Sequence, residues 1–140
     1  MQALDCVFCG IGRGAIPCHR IWESEAALAF LDIGPLAKGH TLLIPKRHFQ
    51  DIRDVSEDVL HAMLAELPKL ADAVMRATGA SGLNLLQNTG RSSGQEVPHI
   101  HFHLIPRIEG DGLGYRWNAG RYAENEAESV REQIAHELDR

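Results

Sequence analysis

The sequence HIHFHLI at residues 99–105 governs the interpretation of the whole chain. Successive side chains of a β-strand point to opposite faces, so the alternation places three imidazoles on one face and Ile100, Phe102 and Leu104 on the other. Same-face neighbours lie about 6 to 7 Å apart, a spacing at which three rings can surround a phosphate-sized group. The pattern predicts a strand over residues 97–106 that packs through one face and carries a functional site on the other.

Three alternating histidines are suited to group transfer at neutral pH. The unperturbed pKa of histidine is about 6.5, so a neutral ring can attack while a neighbouring imidazolium donates a proton. The same spacing also suits ligation of zinc or iron in a metal-dependent hydrolase, and spacing does not separate the two chemistries. A strand whose histidines only face water is disfavoured, because all three fall on one face of a five-residue stretch.

The segments before this strand alternate between strand and helix patterns. Short apolar stretches at residues 21–22, 27–31 and 41–44, the last closed by Pro45, predict strands separated by turns. From Asp54 the period changes to three or four residues, which predicts an amphipathic helix that ends near Gly79.

Two local signals refine that helix. Asp54 and Glu57 have the spacing of a capping box. Pro68 lacks the amide hydrogen of an interior helical residue, so we expect a kink or a break into two helices there. The apolar stripe consists of Leu60, Met63, Leu64, Leu67, Leu70, Ala71 and Val74.

The remainder of the chain completes an α+β pattern. Residues 83–88 predict a strand, residues 90–95 a loop, and residues 123–138 a last helix. The apolar stripe of that helix consists of Ala127, Val130, Ile134 and Leu138. Strands on both sides of a helical region, with short connections, favour an antiparallel sheet over repeated βαβ units. At 140 residues, we expect one domain over 1–140.

Composition narrows the class of protein. The net charge of −5 gives no basic surface for general nucleic-acid binding, although a site for one small phosphorylated ligand needs few donors. No apolar run is long enough to span a bilayer, and the start MQALDCVFCG does not resemble a signal peptide, so we expect a cytoplasmic protein without a membrane partner. Three cysteines at 6, 9 and 18 fit thiols or metal ligands better than disulfides.

With these segments in view, the chain resembles the histidine triad (HIT) family. The blocks are CVFCGIGRGAIPCHRIWES at the start, LAFLDIGPLAKGHTLLIPKRH at 28–48, NLLQNTG at 84–90 and GQEVPHIHFHLIPR at 94–107. The resemblance implies a HIT-like fold: a five-stranded antiparallel sheet with flanking helices, usually in a homodimer with a joined sheet. It also implies transfer of a nucleotidyl group through a covalent nucleotidyl-histidine.

The resemblance assigns roles to individual histidines. His101 would be the nucleophile, and His103 would contact the phosphate and the leaving group. His99 and His40 would complete the set that orients His101. On spacing alone, His40 is better interpreted as a turn histidine before the next strand, and only the resemblance includes it in the site.

The same resemblance implies a pocket for a purine nucleotide or a related small molecule. The nucleoside would contact apolar side chains, Asp32 would accept the ribose hydroxyls, and residues around the 90–95 loop would contact phosphate. Members of this set are Phe8, Ile11, Phe30, Leu31, Asp32, Ile33, Asn88, Gln95, Val97 and His103. The alternative for each apolar residue is an ordinary place in the core.

One residue departs from the family pattern. Glu96 stands where many relatives have serine or threonine able to bond the leaving group. A carboxylate there repels phosphate or requires a proton, so substrate choice by analogy does not transfer directly.

The first two cysteines predict a second site. Cys6 and Cys9 have the spacing of half a tetrahedral zinc site. Resemblance to bacterial HIT proteins supplies His48 and His99 as the other two ligands, and the zinc would then be structural. The alternatives are two free thiols or a redox pair, although no βαβ unit surrounds the motif.

Three functions follow. The first is a nucleotidyl hydrolase or transferase acting on nucleoside phosphoramidates, adenylates or dinucleoside polyphosphates. The ending PR after the triad resembles the dinucleoside polyphosphate hydrolases, whereas the short N-terminal block resembles the phosphoramidases. The second is a metal-dependent hydrolase that uses the triad as ligands. The third is a nucleotide-binding or interaction module without significant turnover.

Overall fold

The computed structural model describes residues 5–114 and 118–140. Its centre is a five-stranded sheet in the order β1-β2-β3-β5-β4, in which every neighbouring pair is antiparallel. The strands are β1 (Arg20–Glu23), β2 (Ala27–Leu31), β3 (Thr41–Pro45), β4 (Gly82–Gln87) and β5 (Phe102–Arg107). The predicted α+β class and the five-stranded antiparallel sheet with flanking helices are confirmed.

The central strands are buried on both faces. Leu28 and Phe30 of β2 pack on one face in a cluster with Phe8, while Ala27 and Ala29 pack on the other face with Met63. A strand with apolar side chains on both faces is stable only inside a sheet that other elements cover on both sides. This accounts for the position of β2 and β3 inside the sheet.

The first face is covered by α1 (Val7–Gly12) and the second by α2 (Glu57–Leu64) and α3 (Leu67–Thr78). The expected break near Pro68 is confirmed: this residue lies in the first turn of α3, where a missing amide hydrogen costs no helical bond. Gly79 ends α3 in the left-handed conformation, at φ 71°.

The predicted capping box is wrong. Ser56, not Asp54, occupies the N-cap of α2. The carboxylate of Asp54 instead accepts hydrogen bonds from the amides of Gln50 and Asp51. A short polar side chain can serve either purpose, and here it closes the turn that precedes the helix.

Two other boundaries differ from the prediction. The strand expected over residues 97–106 begins only at Phe102, because the backbone of Ile100 bonds to Phe49 rather than to a strand partner. The last helix, α4, spans Glu126–Leu138 instead of 123–138, and none of its residues is buried. Two residues of its expected apolar stripe are exposed, Ile134 at 59% and Leu138 at 80%, and Val130 is half-buried.

Among the described residues, no helix has the length and apolar character needed to cross a membrane.

Candidate active site and candidate metal centre

The turn before β3 aims His40 into the protein. Gly39 adopts φ 95°, and a β-carbon at this position would collide with the methyl group of Thr78, so glycine allows the chain to turn closely against α3. His40 follows with 2% exposure. The amide of Leu36 donates to its Nδ1 at 3.1 Å. Nε2 of a neutral His40 therefore carries the hydrogen.

His40 is paired with the third histidine of the triad. Its Nε2 lies 2.9 Å from Nδ1 of His103 and 3.7 Å from a carboxylate oxygen of Asp32. Because Nε2 of His40 donates, Nδ1 of His103 accepts, which leaves the hydrogen of a neutral His103 on Nε2. The rings of His40 and His103 are 5.1 Å apart.

The second histidine of the triad is oriented by the main chain. Nδ1 of His101 lies 2.7 Å from the carbonyl oxygen of His99. A carbonyl can only accept, so Nδ1 donates and Nε2 of the neutral ring holds the lone pair. The ring of His101 is 4.9 Å from that of His103 and packs edge-on against Phe8 at 5.1 Å.

Burial keeps these rings neutral. Desolvation lowers the pKa of His40 and of His101 below the usual value of 6.5. Desolvation, and then the neighbouring His101 and His40, lower the pKa of His103 to about 4. Uncharged imidazoles at neutral pH can act as nucleophiles and as hydrogen-bond donors of defined direction.

A cavity of about 520 Å³ opens beside His101 and His103, a volume suited to a small organic ligand. Most of the residues that the sequence assigned to a nucleotide line it. They are Phe8, Ile11, Phe30, Leu31, Asp32, Ile33, Asn88, Val97 and His103, and His40 and His101 lie in the same wall.

Gln95 does not line this cavity. Its side chain is buried, where the carbonyl oxygen accepts from the amide of Gly90 and the amide donates to the carbonyls of Gln50 and Val97. These bonds brace the 90–95 loop from behind. Gln95 lines a neighbouring polar cleft, which contains Arg91 and shares Gly94 and Glu96 with the main cavity.

The sequence did not identify several cavity residues. Cys18 and Leu86 contribute to the wall, as does Glu96, which appeared only as a departure from the family pattern. Cys18 follows α1 without a recognisable motif, and Leu86 lies in an ordinary strand pattern. Only their position in the fold brings them to the ligand space.

A second group of side chains meets behind the triad. Sγ of Cys6 is 3.3 Å from Nδ1 of His99, and Sγ of Cys9 is 3.4 Å from Nδ1 of His48 and 3.5 Å from Nδ1 of His99. The four ligand atoms lie within 4.8 Å of one another. We call this group, Cys6, Cys9, His48 and His99, the sulfur–imidazole cluster.

The donor set of the sulfur–imidazole cluster fits a tetrahedral metal. Bonds of about 2.3 Å to sulfur and 2.0 Å to nitrogen give ligand–ligand separations of roughly 3.5 Å, close to those observed. Nε2 of His99 donates to the carbonyl of Pro45 at 2.8 Å, so Nδ1 keeps its lone pair for the cluster. Burial raises the pKa of the Cys9 thiol to about 11, which disfavours a free reactive thiol.

The structure therefore divides the triad. The side chain of His99 lies in the sulfur–imidazole cluster, and only its carbonyl oxygen contacts His101. His101 and His103 line the cavity together with His40. The opposite face of the segment packs as expected, because Ile100, Phe102 and Leu104 join the apolar cluster beneath α2 and α3.

Comparison with known proteins agrees with this geometry. Residues 13–110 match the model of the HIT domain family. The chain belongs to the HIT family. Cys6 and Cys9 lie before the matched segment, so the HIT match covers the triad and His40 but not the two sulfur donors.

Three relatives of this HIT chain share most of its length. A protein named adenosine 5'-monophosphoramidase hnt1, from Schizosaccharomyces pombe, is 38% identical and covers 96% of this chain and 99% of its own. A HIT family protein from Bacillus anthracis has a TM-score of 0.89 at 40% identity, with coverage of 97% and 99%. A zinc-bound histidine triad family protein from Mycobacterium smegmatis has a TM-score of 0.75 at 38% identity, with coverage of 99% and 98%.

Proposed function

We propose that this chain is a nucleotidyl hydrolase or transferase. Its substrates would be nucleoside phosphoramidates, adenylates or dinucleoside polyphosphates, and the reaction would pass through a covalent nucleotidyl-His101 intermediate. The observation that carries the proposal is the hydrogen bond from Nδ1 of His101 to the carbonyl of His99, at 2.7 Å, which leaves Nε2 as the nucleophilic nitrogen in the wall of the cavity.

The apolar half of the cavity supports binding of a nucleoside. Phe8 and Phe30 pack edge-on at 5.7 Å and present ring surface to the ligand space. Asp32 lies on the same wall, where its carboxylate can accept hydrogen bonds from ribose hydroxyls. One of its oxygens already accepts from the amide of Gly34 at 2.8 Å, which holds the carboxylate in place.

The polar end of the cavity supports binding of one phosphate. Asn88 and His103 supply side-chain donors there. Within residues 5–114 and 118–140, the backbone amides of Glu96 and Val97 have no protein acceptor, so they are available to phosphate oxygens.

His103 is the proposed general acid. An anionic phosphate beside this ring favours its charged form, so substrate binding raises the pKa of His103 from its low value in the free protein. Nε2 of His101 then forms a bond to phosphorus as the bond to the leaving atom breaks. That atom departs with the bonding electron pair and takes the Nε2 proton of the charged His103, which ends neutral with its hydrogen on Nδ1. During this step the Nε2 hydrogen of His40 turns from His103 to the Asp32 carboxylate, 3.7 Å away.

The second half of the reaction reverses these roles. Neutral His103 takes a proton from water while the water oxygen forms a bond to phosphorus. The bond between phosphorus and Nε2 of His101 breaks, and the nucleotide leaves with His101 restored. An acceptor other than water would give transfer instead of hydrolysis. His40 positions His103 through the 2.9 Å contact, and His99 positions His101 through its carbonyl.

The relative from Schizosaccharomyces pombe supports the reaction class, because it is named a phosphoramidase and matches nearly end to end.

The sulfur–imidazole cluster supports a structural zinc ion held by Cys6, Cys9, His48 and His99. When bound, zinc would stabilise the thiolates and tie α1 to the segment before β5. The zinc-bound relative from Mycobacterium smegmatis supports that part of the proposal.

An edge of the sheet supports a homodimer with a joined sheet. β4 lies at the end of the strand order and pairs only with β5 among the described strands. Two of its apolar side chains are exposed, Leu85 at 49% and Leu86 at 40%. An unpaired edge with exposed apolar groups is an energetic liability that a second copy would remove.

Trapping the intermediate tests the proposed function. Wild-type protein mixed with labelled adenosine phosphoramidate and quenched should carry covalent nucleotide on a peptide containing His101, and His101→Ala should carry none. His61→Ala is the matched control, because His61 is an exposed histidine on α2, remote from the cavity. Equal turnover by wild type and His101→Ala would end the proposal.

A metal-dependent hydrolase is the second candidate. Asp32, His40 and His103 also place ligand atoms within 4.8 Å of one another. The 2.9 Å contact between His40 and His103 fits a hydrogen bond, however, and His101 is not part of this group. Turnover that disappears on complete metal removal while folding persists, and returns with added metal, would favour this candidate over the nucleotidyl-histidine.

A further inference from the structure

The formally charged side chains described in the wall of the main cavity are all acidic. Among residues 5–114 and 118–140, the formally charged residues that line it are Asp32 and Glu96, and neither lysine nor arginine lines it. A single phosphate can bind there through neutral donors such as Asn88 and His103. A chain of phosphates brings additional negative charges and meets no cation in this wall.

Glu96 lines two neighbouring spaces. It lines the main cavity beside His101 and His103, and it also lines the polar cleft with Arg91, Gly94 and Gln95. The second space is about 690 Å³. A leaving group that extends from the main cavity into the polar cleft therefore meets a shared wall that carries Glu96, whereas Arg91 lines only the cleft.

The carboxylate of Glu96 is available for a ligand. It has no ion pair and accepts no hydrogen bond from any residue in the described ranges 5–114 and 118–140. Arg91 likewise makes no ion pair within those ranges, although the two residues line the same cleft. Glu96 therefore acts as an unneutralised negative charge at the leaving-group end of the site.

We propose that this site selects nucleoside phosphoramidates whose leaving amine carries a second, positively charged group, and that Glu96 is the residue that recognises this charge. This inference rests on the proposed function and narrows its substrate class. Dinucleoside polyphosphates would be poor substrates, because their leaving group is anionic. The bond that breaks joins phosphorus to nitrogen, and the amine nitrogen leaves with the electron pair and the proton from His103.

The expected size of this substrate preference depends on the solvent exposure of Glu96. Glu96 is exposed, so one favourable charge contact is worth roughly two- to fivefold in kcat/KM at low ionic strength. Added salt should reduce the preference, because exposed charges are screened over about 10 Å at 0.1 M.

The test uses three adenosine monophosphate phosphoramidates of equal chain length that end in an ammonium, a hydroxyl or a carboxylate group. The wild-type protein should prefer ammonium over hydroxyl and hydroxyl over carboxylate, each by about two- to fivefold in kcat/KM. Glu96→Gln should bring the three values within about twofold of one another. Arg91→Gln should preserve or increase the preference, because it removes a nearby positive charge.

Glu25→Gln is the matched control, since it removes an exposed carboxylate that lines neither cavity. It should retain the wild-type ranking. Turnover of all three substrates at equal rates by wild type would overturn the charge selection and leave the proposed function standing. Failure to turn over any of them, with no nucleotide on His101, would overturn both.

Discussion

His99 and His101 are two residues apart, yet their rings present different nitrogens to different surroundings. Nε2 of His99 donates to the carbonyl of Pro45, which leaves Nδ1 for the sulfur atoms of the sulfur–imidazole cluster. Nδ1 of His101 donates to the carbonyl of His99, which leaves Nε2 for the cavity. In each ring, a main-chain oxygen selects the nitrogen that keeps its lone pair. The comparison teaches that the local acceptor, more than the spacing of the histidines, assigns each ring its chemistry.

Two alanine variants should separate these rings. We expect His101→Ala to lose at least about a thousandfold in kcat/KM, because the proposed nucleophile is gone, and to keep the proposed zinc. We expect His99→Ala to lose zinc, because one of four ligands is gone. Steady-state kinetics and metal analysis of both purified variants provide the measurement. A His99→Ala protein with full zinc content, or a His101→Ala protein without zinc, would contradict the assignment.

Substitution of the cysteines should separate those inside the sulfur–imidazole cluster from the one outside it. Cys6, at the N-cap of α1, and Cys9, within α1, belong to the cluster, and Cys18 does not. Cys9→Ser should lower the thermal midpoint by about 10 °C, because loss of a structural metal removes a few kcal/mol of stability. Cys18→Ser is the control, since Cys18 lies outside the sulfur–imidazole cluster, and it should keep both its zinc and its midpoint. A chelator should lower the wild-type midpoint and leave that of Cys9→Ser unchanged. Equal midpoints for the two variants would exclude a stabilising metal.

Sequence reasoning identified most of this architecture because the pattern itself carries the information. Short apolar stretches at 27–31 and 41–44 predicted strands, and Pro68 predicted a kink or a break, which lies between α2 and α3. The spacing of Cys6 and Cys9 predicted half of a metal site, and the family resemblance supplied His48 and His99, whose ligand atoms lie within 4.8 Å of the two sulfurs. Each of these signals depends on residues whose chemistry leaves few alternatives.

The remaining features depend on contacts that the sequence does not encode locally. Asp54 had two partners within reach, and its carboxylate closes a turn instead of capping α2. Gln95 faces the back of its loop because the carbonyl of Gln50, distant in the chain, accepts its amide hydrogen. The division of the triad likewise depends on where the carbonyl of Pro45 lies, and no spacing rule gives that position.

The burial of His103 in the wall of the cavity should also affect how the free energy of unfolding depends on pH. Burial first, and then His101 and His40, lower the pKa of His103 to about 4, while Asp32 acts in the opposite direction. Between pH 6.5 and 4 the unfolded chain binds a proton that the folded chain does not, so the free energy of unfolding falls as pH falls. We expect His103 to account for about 2 kcal/mol of this loss, after allowance for its partial exposure.

Urea unfolding at pH 6.5 and 4.5 measures that loss. The Cys9→Ser background is used so that metal release does not contribute to the slope. His103→Asn in this background should lose less stability than its parent between the two pH values. His40 and His101 also have lowered pKa values, so a smaller slope should persist in the variant. An unchanged slope would show that His103 titrates normally in the folded protein.

The smallest expected effect on stability concerns the turn at Gly39, which places His40. His40 orients His103 through a contact between the two rings, whereas a main-chain carbonyl orients His101. Gly39→Ala should cost about 1 to 2 kcal/mol, because φ is 95° and the added β-carbon meets the methyl of Thr78. Thr78→Ser removes that methyl and retains the hydroxyl that donates to Val74, so the double variant should recover the steric part only. Gly120→Ala, where an added β-carbon would meet no described atom beyond the chain neighbours within 4 Å, should change stability by less than about 0.5 kcal/mol. Chemical unfolding of the four variants measures these differences, and full recovery in the double variant would mean that backbone strain at Gly39 contributes nothing.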